Sequence, residues 1–180
     1  MGAIFNNRLE VNRNRYEHEG EVHNMLTNTV SELKVLLQSV PRSFLALNPN
    51  ELVQPRMEGK WSRLQILGHL CDSALHNVSR FVQMQHQTEP LSITPYHQDQ
   101  WVESQQYVSA PIEEVLNLWI SLNQSVIRVL SSMPETGESA TCVLPDGSVV
   151  TMEWLAQDYV QHLKHHLQQI FGEHHNLGTE

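Results

Sequence analysis

Two histidines one helical turn apart, His162 and His166, constrain this chain more than any other feature. Residues four apart on an α-helix lie on the same side, so these two imidazole rings are neighbours while that of His165 points elsewhere. Neutral imidazoles at this spacing commonly hold a divalent transition metal from a single helix. Because two ligands rarely hold a metal alone, the chain must fold so that a third ligand reaches this helix.

Composition and charge exclude several classes of protein. With 180 residues, of which 40% are hydrophobic and 17% charged, the chain is expected to form one globular domain with a sizeable core. The formal net charge of -9 and the scatter of the 11 lysines and arginines argue against binding to nucleic acid or to an anionic membrane surface.

The two cysteines, Cys71 and Cys142, are too few for a disulfide framework. We interpret them as reduced thiols that fill space. The sequence contains neither a secretory leader nor an apolar run of the roughly 20 residues that span a bilayer. We therefore expect a cytoplasmic protein without a membrane partner.

Four stretches repeat apolar residues at intervals of three and four, which is typical of amphipathic helices. Pro41 ends the first of them. Ser62 and Gln65 form the capping box typical of the start of the second, in which Gly68 leaves room for close packing. Pro111, at the first helical position, opens the third. The predicted helices span residues 19–40, 62–86, 111–133 and 151–171.

The segments between these helices complete the predicted fold. Residues 41–60 are a connection with a short helical turn near 44–47, and residues 87–110 form a long crossover. A short helix at 98–106 is expected in the crossover. Residues 142–150 are predicted as two short strands around a Pro-Asp-Gly turn.

The predicted fold class is therefore all-α. It is a four-helix bundle with a long crossover between helices 2 and 3 and a small β-hairpin before helix 4. We assign residues 1–18 to an N-terminal arm, 19–172 to the bundle and 173–180 to a C-terminal tail.

His69, near the start of the second helix, is the candidate third ligand. It lies off the centre of that helix's apolar arc, on a polar stripe where a side chain would line a solvent-connected pocket. The stripe continues through Ser73, His76 and Arg80. Three neutral histidines with an open fourth position are the ligand set of a catalytic zinc site. The alternative is that a chain with 11 histidines places two of them one turn apart by chance.

Several motifs occur in a fixed order along the chain: a Trp-Ser helix start, a His-Leu-x-Asp helix, an aromatic crossover and a His-x-x-His-His helix. Their residues are Trp61-Ser62, Ile66-Leu67-Gly68-His69-Leu70, Asp72, then Tyr96, Gln98 and Trp101, and finally Tyr159-Val160-x-His162-x-x-His165-His166-Leu167-x-Gln169-Ile170. In these residues and in their order the chain resembles the DinB/YfiT-like superfamily, in its DinB-like domain, over about residues 20–172.

The resemblance implies a function as well as a fold. It implies that His69, His162 and His166 bind a divalent metal, either zinc or nickel. It further implies a metal-dependent hydrolase, or a transferase that uses a low-molecular-weight thiol such as bacillithiol or mycothiol, acting on a small molecule. A homodimer is also expected from the resemblance.

Two main hypotheses follow for the function. In the first, the protein is a metalloenzyme whose metal activates water or the thiol of a cosubstrate, and Asp72 orients a ligating histidine. The pocket residues would be Ser73, His76, Tyr96 and Trp101. In the second, the metal stabilises a non-catalytic bundle that serves as a binding or interaction protein, and a closed site takes a fourth ligand from His76 or Asp72. A third possibility is a partner-binding protein that uses the aromatic crossover.

Overall fold

The computed structural model describes residues 26–134, 137 and 139–172. The predicted arm at 1–18, the predicted start of the first helix and the predicted tail at 173–180 lie outside the described residues. Within them, no helix is both long enough and apolar enough to cross a membrane.

The described part of the chain contains four long helices joined by shorter elements, so the predicted all-α bundle is confirmed. In chain order the helices are α1 at 26–45, α2 at Pro49–Val53, α3 at Arg63–Met84, α4 at Gln98–Ser104, α5 at Ile112–Ser131 and α6 at Met152–Phe171. Helices α2 and α4 are short, and α4 is followed by a 3-10 turn at Tyr107–Ser109. As predicted, the crossover between α3 and α5 carries a short helix.

α3 is the central helix of the bundle. It packs against α5 and α6 and also contacts α2, α4 and the 3-10 turn. Every residue from 66 to 74 is buried, so the first half of α3 has no face open to water. The prediction that the polar stripe places His69 in the wall of a solvent-connected pocket is therefore wrong, since its side chain is fully buried. The crossover covers the face of α3 that α5 and α6 leave free. Because the periodicity of apolar residues reveals only one buried face of a helix, the burial of this second, polar face was not predictable from it.

Two helix starts follow the predicted capping chemistry. At α3, the Ser62 side chain accepts a hydrogen bond from the backbone N–H of Gln65 at 3.2 Å, and the Gln65 side chain accepts one from the backbone N–H of Ser62 at 2.9 Å. At α6, the Thr151 hydroxyl accepts a hydrogen bond from the Trp154 N–H at 3.2 Å. These bonds satisfy backbone donors that the first turn leaves unpaired, which fixes where each histidine-bearing helix begins.

Pro41 does not end the first helix, contrary to prediction. α1 continues through it to residue 45. A proline inside a helix removes one backbone hydrogen bond and crowds the preceding turn. The turn that follows carries Phe44, which is fully buried and packs edge-on against Phe171 at a ring-centroid distance of 6.5 Å. Burial of an aromatic ring offsets the loss at the proline.

Two further boundaries differ from the predictions. The helical turn expected near 44–47 is the end of α1, and the following connection contains α2, which was not predicted. Asn48 caps α2 by accepting a hydrogen bond from the Asn50 N–H at 3.0 Å, and Leu52 anchors it in the core. Pro111 precedes the first helical residue of α5 and does not occupy it.

The predicted hairpin is present and belongs to a three-stranded sheet. β2 at Thr141–Val143 pairs antiparallel with β3 at Val149–Thr151, and Gly147 provides the positive φ of 87° that the turn requires. The additional strand, β1 at Leu91–Ser92, comes from the crossover and pairs parallel with β2. This pairing attaches the crossover to the segment that leads into α6.

Both cysteines are buried and free of disulfides, as the space-filling interpretation requires. Burial raises the pKa of the Cys71 thiol well above its ordinary value. Its sulfur donates only a long contact of 3.6 Å to the Val115 carbonyl oxygen. A thiol in this environment stays protonated and is not reactive.

Candidate metal centre

The structure brings His69, His162 and His166 together from two helices that are far apart in the sequence. His69 projects from the second turn of α3, and the other two project from adjacent turns of α6. The Nε2 atoms of His69 and His162 are 3.3 Å apart. One ring nitrogen from each of the three residues lies within 4.8 Å of those of the other two. In the described part of the chain, no other histidine, cysteine or carboxylate joins this cluster.

The three rings meet edge to face. The ring of His166 lies 4.8 Å from that of His69 and 4.5 Å from that of His162, measured between centroids, and the ring planes are inclined by 70° and 73°. His69 is buried, whereas His162 and His166 are half-buried. Solvent therefore reaches the cluster from the side of α6.

Burial lowers the pKa of all three imidazoles. The pKa of His69 falls to about 3 and that of His162 to about 4, mainly through burial and then through the charge of neighbouring histidines. Burial also lowers the pKa of His166, a hydrogen bond to Gln169 opposes this shift, and His165 adds to it. The three rings are neutral at pH 7, so each has a nitrogen lone pair for a metal.

Gln169 fixes the protonation and orientation of His166. Its side-chain oxygen lies 3.0 Å from His166 Nδ1, and its amide nitrogen lies 3.0 Å from His165 Nε2. Because an amide oxygen only accepts hydrogen bonds, His166 Nδ1 carries the proton and Nε2 keeps the lone pair. This role was not predicted, although three and four residues are the helical spacings at which side chains meet.

The donor set and the separation of its His69–His162 pair fit a divalent transition metal. Two nitrogens bound to one tetrahedral zinc at about 2.0–2.1 Å lie about 3.3–3.4 Å from each other. The Nε2 atoms of His69 and His162, 3.3 Å apart, already have this separation. Imidazole nitrogens suit zinc and nickel alike, so the donor type agrees with both metals.

Asp72 does not orient a histidine, which corrects the role predicted for it. Its Oδ1 accepts a hydrogen bond from the Tyr107 hydroxyl at 2.7 Å. Nδ1 of His69 is buried and has no hydrogen-bond partner among the described residues. Burial raises the pKa of Asp72, and the hydrogen bond from Tyr107 opposes that shift. Tyr107 belongs to the crossover, whose path over α3 is decided by tertiary packing.

Gly68 allows Tyr107 to reach Asp72. A Cβ atom at Gly68 would lie 2.1 Å from Cδ2 of Tyr107 and 2.3 Å from its Cγ, which is far inside van der Waals contact. The tyrosine ring therefore lies directly on the backbone of α3, one turn before Asp72. The prediction that this glycine permits close packing is confirmed.

His76, Tyr96 and Trp101, three of the predicted pocket residues, form an aromatic cluster of their own. His76 stacks on Tyr96 with ring centroids 4.0 Å apart and planes inclined by 16°. Trp101 meets His76 at 4.6 Å in an edge-to-face arrangement. Of these three, Tyr96 alone lines the cavity next to the histidines, and the rings of His76 and Trp101 pack against it.

A cavity of about 230 Å³ adjoins the histidine cluster, and His162 forms part of its wall. Of the residues assigned to a pocket from the sequence, Ser73 and Tyr96 line this cavity. The other polar side chains of the wall are Asn77, Arg80, Gln98, Asp158 and Tyr159. A larger recess of about 470 Å³ between α1 and α6 contains none of the three histidines. The smaller cavity is therefore the one in a position to present a small molecule to them.

Comparison with known proteins places these features in a family. The sequence pattern of the DinB superfamily matches residues 32–170. A relative from Oceanobacillus iheyensis, named as a candidate metal-dependent hydrolase, is 26% identical over 156 residues, which is 86% of this chain and 90% of the relative. A relative from Geobacillus thermodenitrificans with the same kind of name is 27% identical over 143 residues, covering 78% of this chain and 79% of the relative.

Two solved structures share the fold. YfiT from Bacillus subtilis, described as a candidate metal-dependent hydrolase with an unusual four-helix bundle topology, superposes with a TM-score of 0.65 at 23% identity, covering 86% of this chain and 84% of that one. A mycothiol-dependent maleylpyruvate isomerase superposes with a TM-score of 0.64 at 13% identity, covering 79% of this chain and 59% of that one. At these identities the likeness concerns the fold.

Proposed function

The chain belongs to the DinB superfamily, and on this premise we propose that it is a metal-dependent enzyme that acts on a small molecule, as a hydrolase or as a low-molecular-weight-thiol transferase. One observation carries the proposal. Three neutral imidazoles from α3 and α6 converge within 4.8 Å, and one of them forms part of the wall of a polar cavity.

In the proposed site, His69, His162 and His166 hold a divalent zinc or nickel ion. Such an ion would lower the pKa of a bound water or thiol and so supply a nucleophile at neutral pH. Gln169 keeps the lone pair of His166 on Nε2. Trp61, whose ring centroid is 5.1 Å from that of His69, packs against that imidazole and limits its rotation.

The size of the neighbouring cavity supports the proposal that the substrate is a small molecule. Its volume of about 230 Å³ lies below the roughly 300–1,000 Å³ of pockets for drug-sized ligands. Ser73, Asn77 and Tyr96 provide hydrogen-bonding groups in its wall. They can orient a ligand while its reacting end lies next to His162.

A closed, purely structural site is the alternative, and the surroundings of the cluster argue against it. Structural zinc sites almost always have four protein ligands. His76 and Asp72, the two residues predicted as a fourth ligand, have other partners: His76 stacks on Tyr96, and Asp72 accepts the Tyr107 hydroxyl. Three protein ligands and an open position are the arrangement found in catalytic sites.

Hydrolysis and thiol transfer both need a nucleophile at the metal, and the two differ in which group takes the open position. The names of the sequence relatives favour hydrolysis, and the mycothiol-dependent isomerase with the same fold favours use of a thiol. The predicted homodimer and the predicted cytoplasmic location stay predictions.

Metal analysis of protein purified without a histidine tag tests the proposal. Wild-type protein and the His86→Ala variant, whose histidine is exposed outside the cluster, should bind one equivalent of metal, whereas His166→Ala should not. Metal-loaded protein is then screened for amide or ester hydrolysis and for thiol transfer. Absence of stoichiometric metal in the wild type would contradict the proposal, and bound metal at which neither water nor a thiol exchanges would favour the structural alternative.

A further inference from the structure

Arg80 is the one permanent cation among the described residues that line the cavity beside His162. Its guanidinium donates two long hydrogen bonds, one to Asn77 Oδ1 at 3.5 Å and one to the Thr94 carbonyl oxygen at 3.4 Å. It forms no ion pair with a carboxylate of the described chain. Because an arginine has five N–H donors in a planar fork, several remain for a ligand in the cavity.

The environment of Arg80 favours an anionic ligand. The side chain is half-buried, and burial lowers the pKa of its guanidinium from the ordinary value. A cation that is partly removed from water without an ion-pair partner gains stability when an anion binds. The net charge of the chain is -9, so its overall field does not attract anions, and a local cation is needed to recruit one.

Arg80 and His69, the member of the histidine cluster that α3 contributes, lie at opposite ends of one stripe along α3. Arg80 follows His69 by eleven positions on α3, which corresponds to about 16 Å along the helix axis. Side chains on a helix lean toward its N-terminus, and that of arginine is longer than that of histidine, so the guanidinium approaches the cluster to a distance on the order of 10 Å. Ser73 and Asn77 lie between them and line the same cavity.

We infer that the cavity binds a small molecule whose carboxylate pairs with Arg80 while its reacting end, on the order of 10 Å away, lies at the histidine cluster. This inference rests on the proposed function, because the cluster is taken as the place of reaction. A planar guanidinium binds a carboxylate by donating two parallel N–H···O bonds, which fixes the orientation of the ligand as well as adding affinity. Arg80 is thus a specificity-determining residue that lies apart from the metal ligands.

Asp158 also lines the cavity and carries the opposite charge. It is exposed, and it is not ion-paired with Arg80. Water and salt screen the charge of an exposed carboxylate more than that of the half-buried guanidinium. Asp158 therefore stabilises the charged form of Arg80 without occupying its hydrogen-bond donors, and these remain available to a ligand.

The experiment compares 8-mercaptooctanoate with its neutral amide as probes of zinc-loaded protein, with affinities measured by NMR titration. Wild-type protein should bind the acid about 10-fold or more tightly than the amide, as expected for charge-assisted hydrogen bonds. Arg80→Gln should remove this preference and leave the affinity for the amide unchanged, and Arg80→Lys should keep part of it. Arg128→Gln, an exposed arginine of α5 outside the cavity, should leave both affinities unchanged.

Octanoate, which has no thiol, separates the contribution of the carboxylate from that of a metal-bound thiol. If Arg80 recognises the carboxylate, wild-type protein should also bind octanoate more tightly than octanamide, and Arg80→Gln should remove this preference. Equal affinity of wild-type protein for acid and amide overturns the inference, and so does a preference that survives in Arg80→Gln. Zinc content is measured separately. A wild type that fails to bind zinc contradicts the proposed function, while the acid-amide comparison still decides the role of Arg80.

Discussion

His69 and His162 are separated by 93 positions in the chain, yet their Nε2 atoms lie 3.3 Å apart. Two ring nitrogens at this distance cannot both be protonated without repulsion. Without a metal, one imidazole donates a proton to the other; with a metal, both can offer their lone pairs. The protonation of this pair therefore contributes to the stability of the fold as well as to metal binding.

The stability of the metal-free protein should decrease as the pH falls from 7 to 5. The pKa of His69 is about 3 in the folded protein, against an ordinary value of 6.5. Below pH 6.5 the unfolded chain takes up a proton that the folded protein does not, so stability is complete above this pH and is lost progressively toward pH 3. For a buried group the loss is about 1.4 kcal/mol per pH unit, or about 2 kcal/mol at pH 5.

Urea unfolding of chelator-treated protein at pH 7 and pH 5 checks this prediction. The matched variant is His69→Gln, which has no titrating group at this position. Between pH 7 and pH 5, its free energy of unfolding should fall by about 2 kcal/mol less than that of the wild type. An equal change in the free energy of unfolding of the two proteins would contradict the prediction, because it would show that His69 takes up a proton as readily in the folded protein as in the unfolded chain.

Replacement of Gln169 by alanine should weaken metal binding without removing a metal ligand. Gln169 holds the Nδ1 proton of His166, and loss of such a partner typically lowers metal affinity about 10–100-fold. Competition with a chromogenic chelator measures the affinity. Gln168→Ala is the control, since this neighbouring glutamine is also exposed and its side chain does not contact the cluster. Equal affinities for the two variants would contradict the role of Gln169.

Gly68→Ala should destabilise the protein by forcing Tyr107 away from α3. The new methyl group would lie 2.1 Å from the tyrosine ring, and overpacking of a core typically costs about 1–3 kcal/mol. The cost should be much smaller when Tyr107 is also replaced by alanine, since the clash is then absent. Chemical denaturation of the four proteins of this double-mutant cycle measures the coupling, and additive effects would show that the contact is not the cause.

Tyr107→Phe should cost more stability than Tyr159→Phe. Both hydroxyls are buried and donate hydrogen bonds of 2.7 Å, that of Tyr107 to the Asp72 carboxylate and that of Tyr159 to the amide oxygen of Asn123. A hydrogen bond to a charged group contributes about 1.5–3 kcal/mol, against about 1 kcal/mol for a neutral pair. Urea unfolding at pH 7 compares the two variants, and a larger loss for Tyr159→Phe would contradict a charged Asp72.

Local features of the fold were predictable from the sequence because they depend on neighbours along the chain. The spacing of apolar residues located the four helices, and Ser62 and Thr151 located the starts of α3 and α6. Where a distant partner overrides local preference, the prediction was wrong. Pro41 lies within α1 because Phe44, one turn later, packs against Phe171 at the far end of α6. The strand β1 has only two residues and depends entirely on β2.

The candidate site likewise combines features that were predictable from the sequence with features that were not. The proximity of His162 and His166 follows from helical geometry alone. His69 was proposed as the third ligand from its place on the second predicted helix, and the resemblance to a known family implied the same residue. The partners of these residues were harder to predict. Gln169 was within reach of a spacing argument, whereas the pairing of Asp72 with Tyr107 depends on how the crossover lies over Gly68.

The sequence by itself determined the four long helices, the caps of α3 and α6 and the face of α6 on which two imidazoles meet, since hydrogen bonds and side-chain periodicity along a helix are short-range. Only the tertiary structure decided that His69 is fully buried and that its Nε2 lies 3.3 Å from that of His162. It also decided which polar groups share a cavity with them. These relationships arise when α3, α6 and the crossover bury their apolar surfaces together, and the resulting distances are set by packing between elements that no local pattern relates.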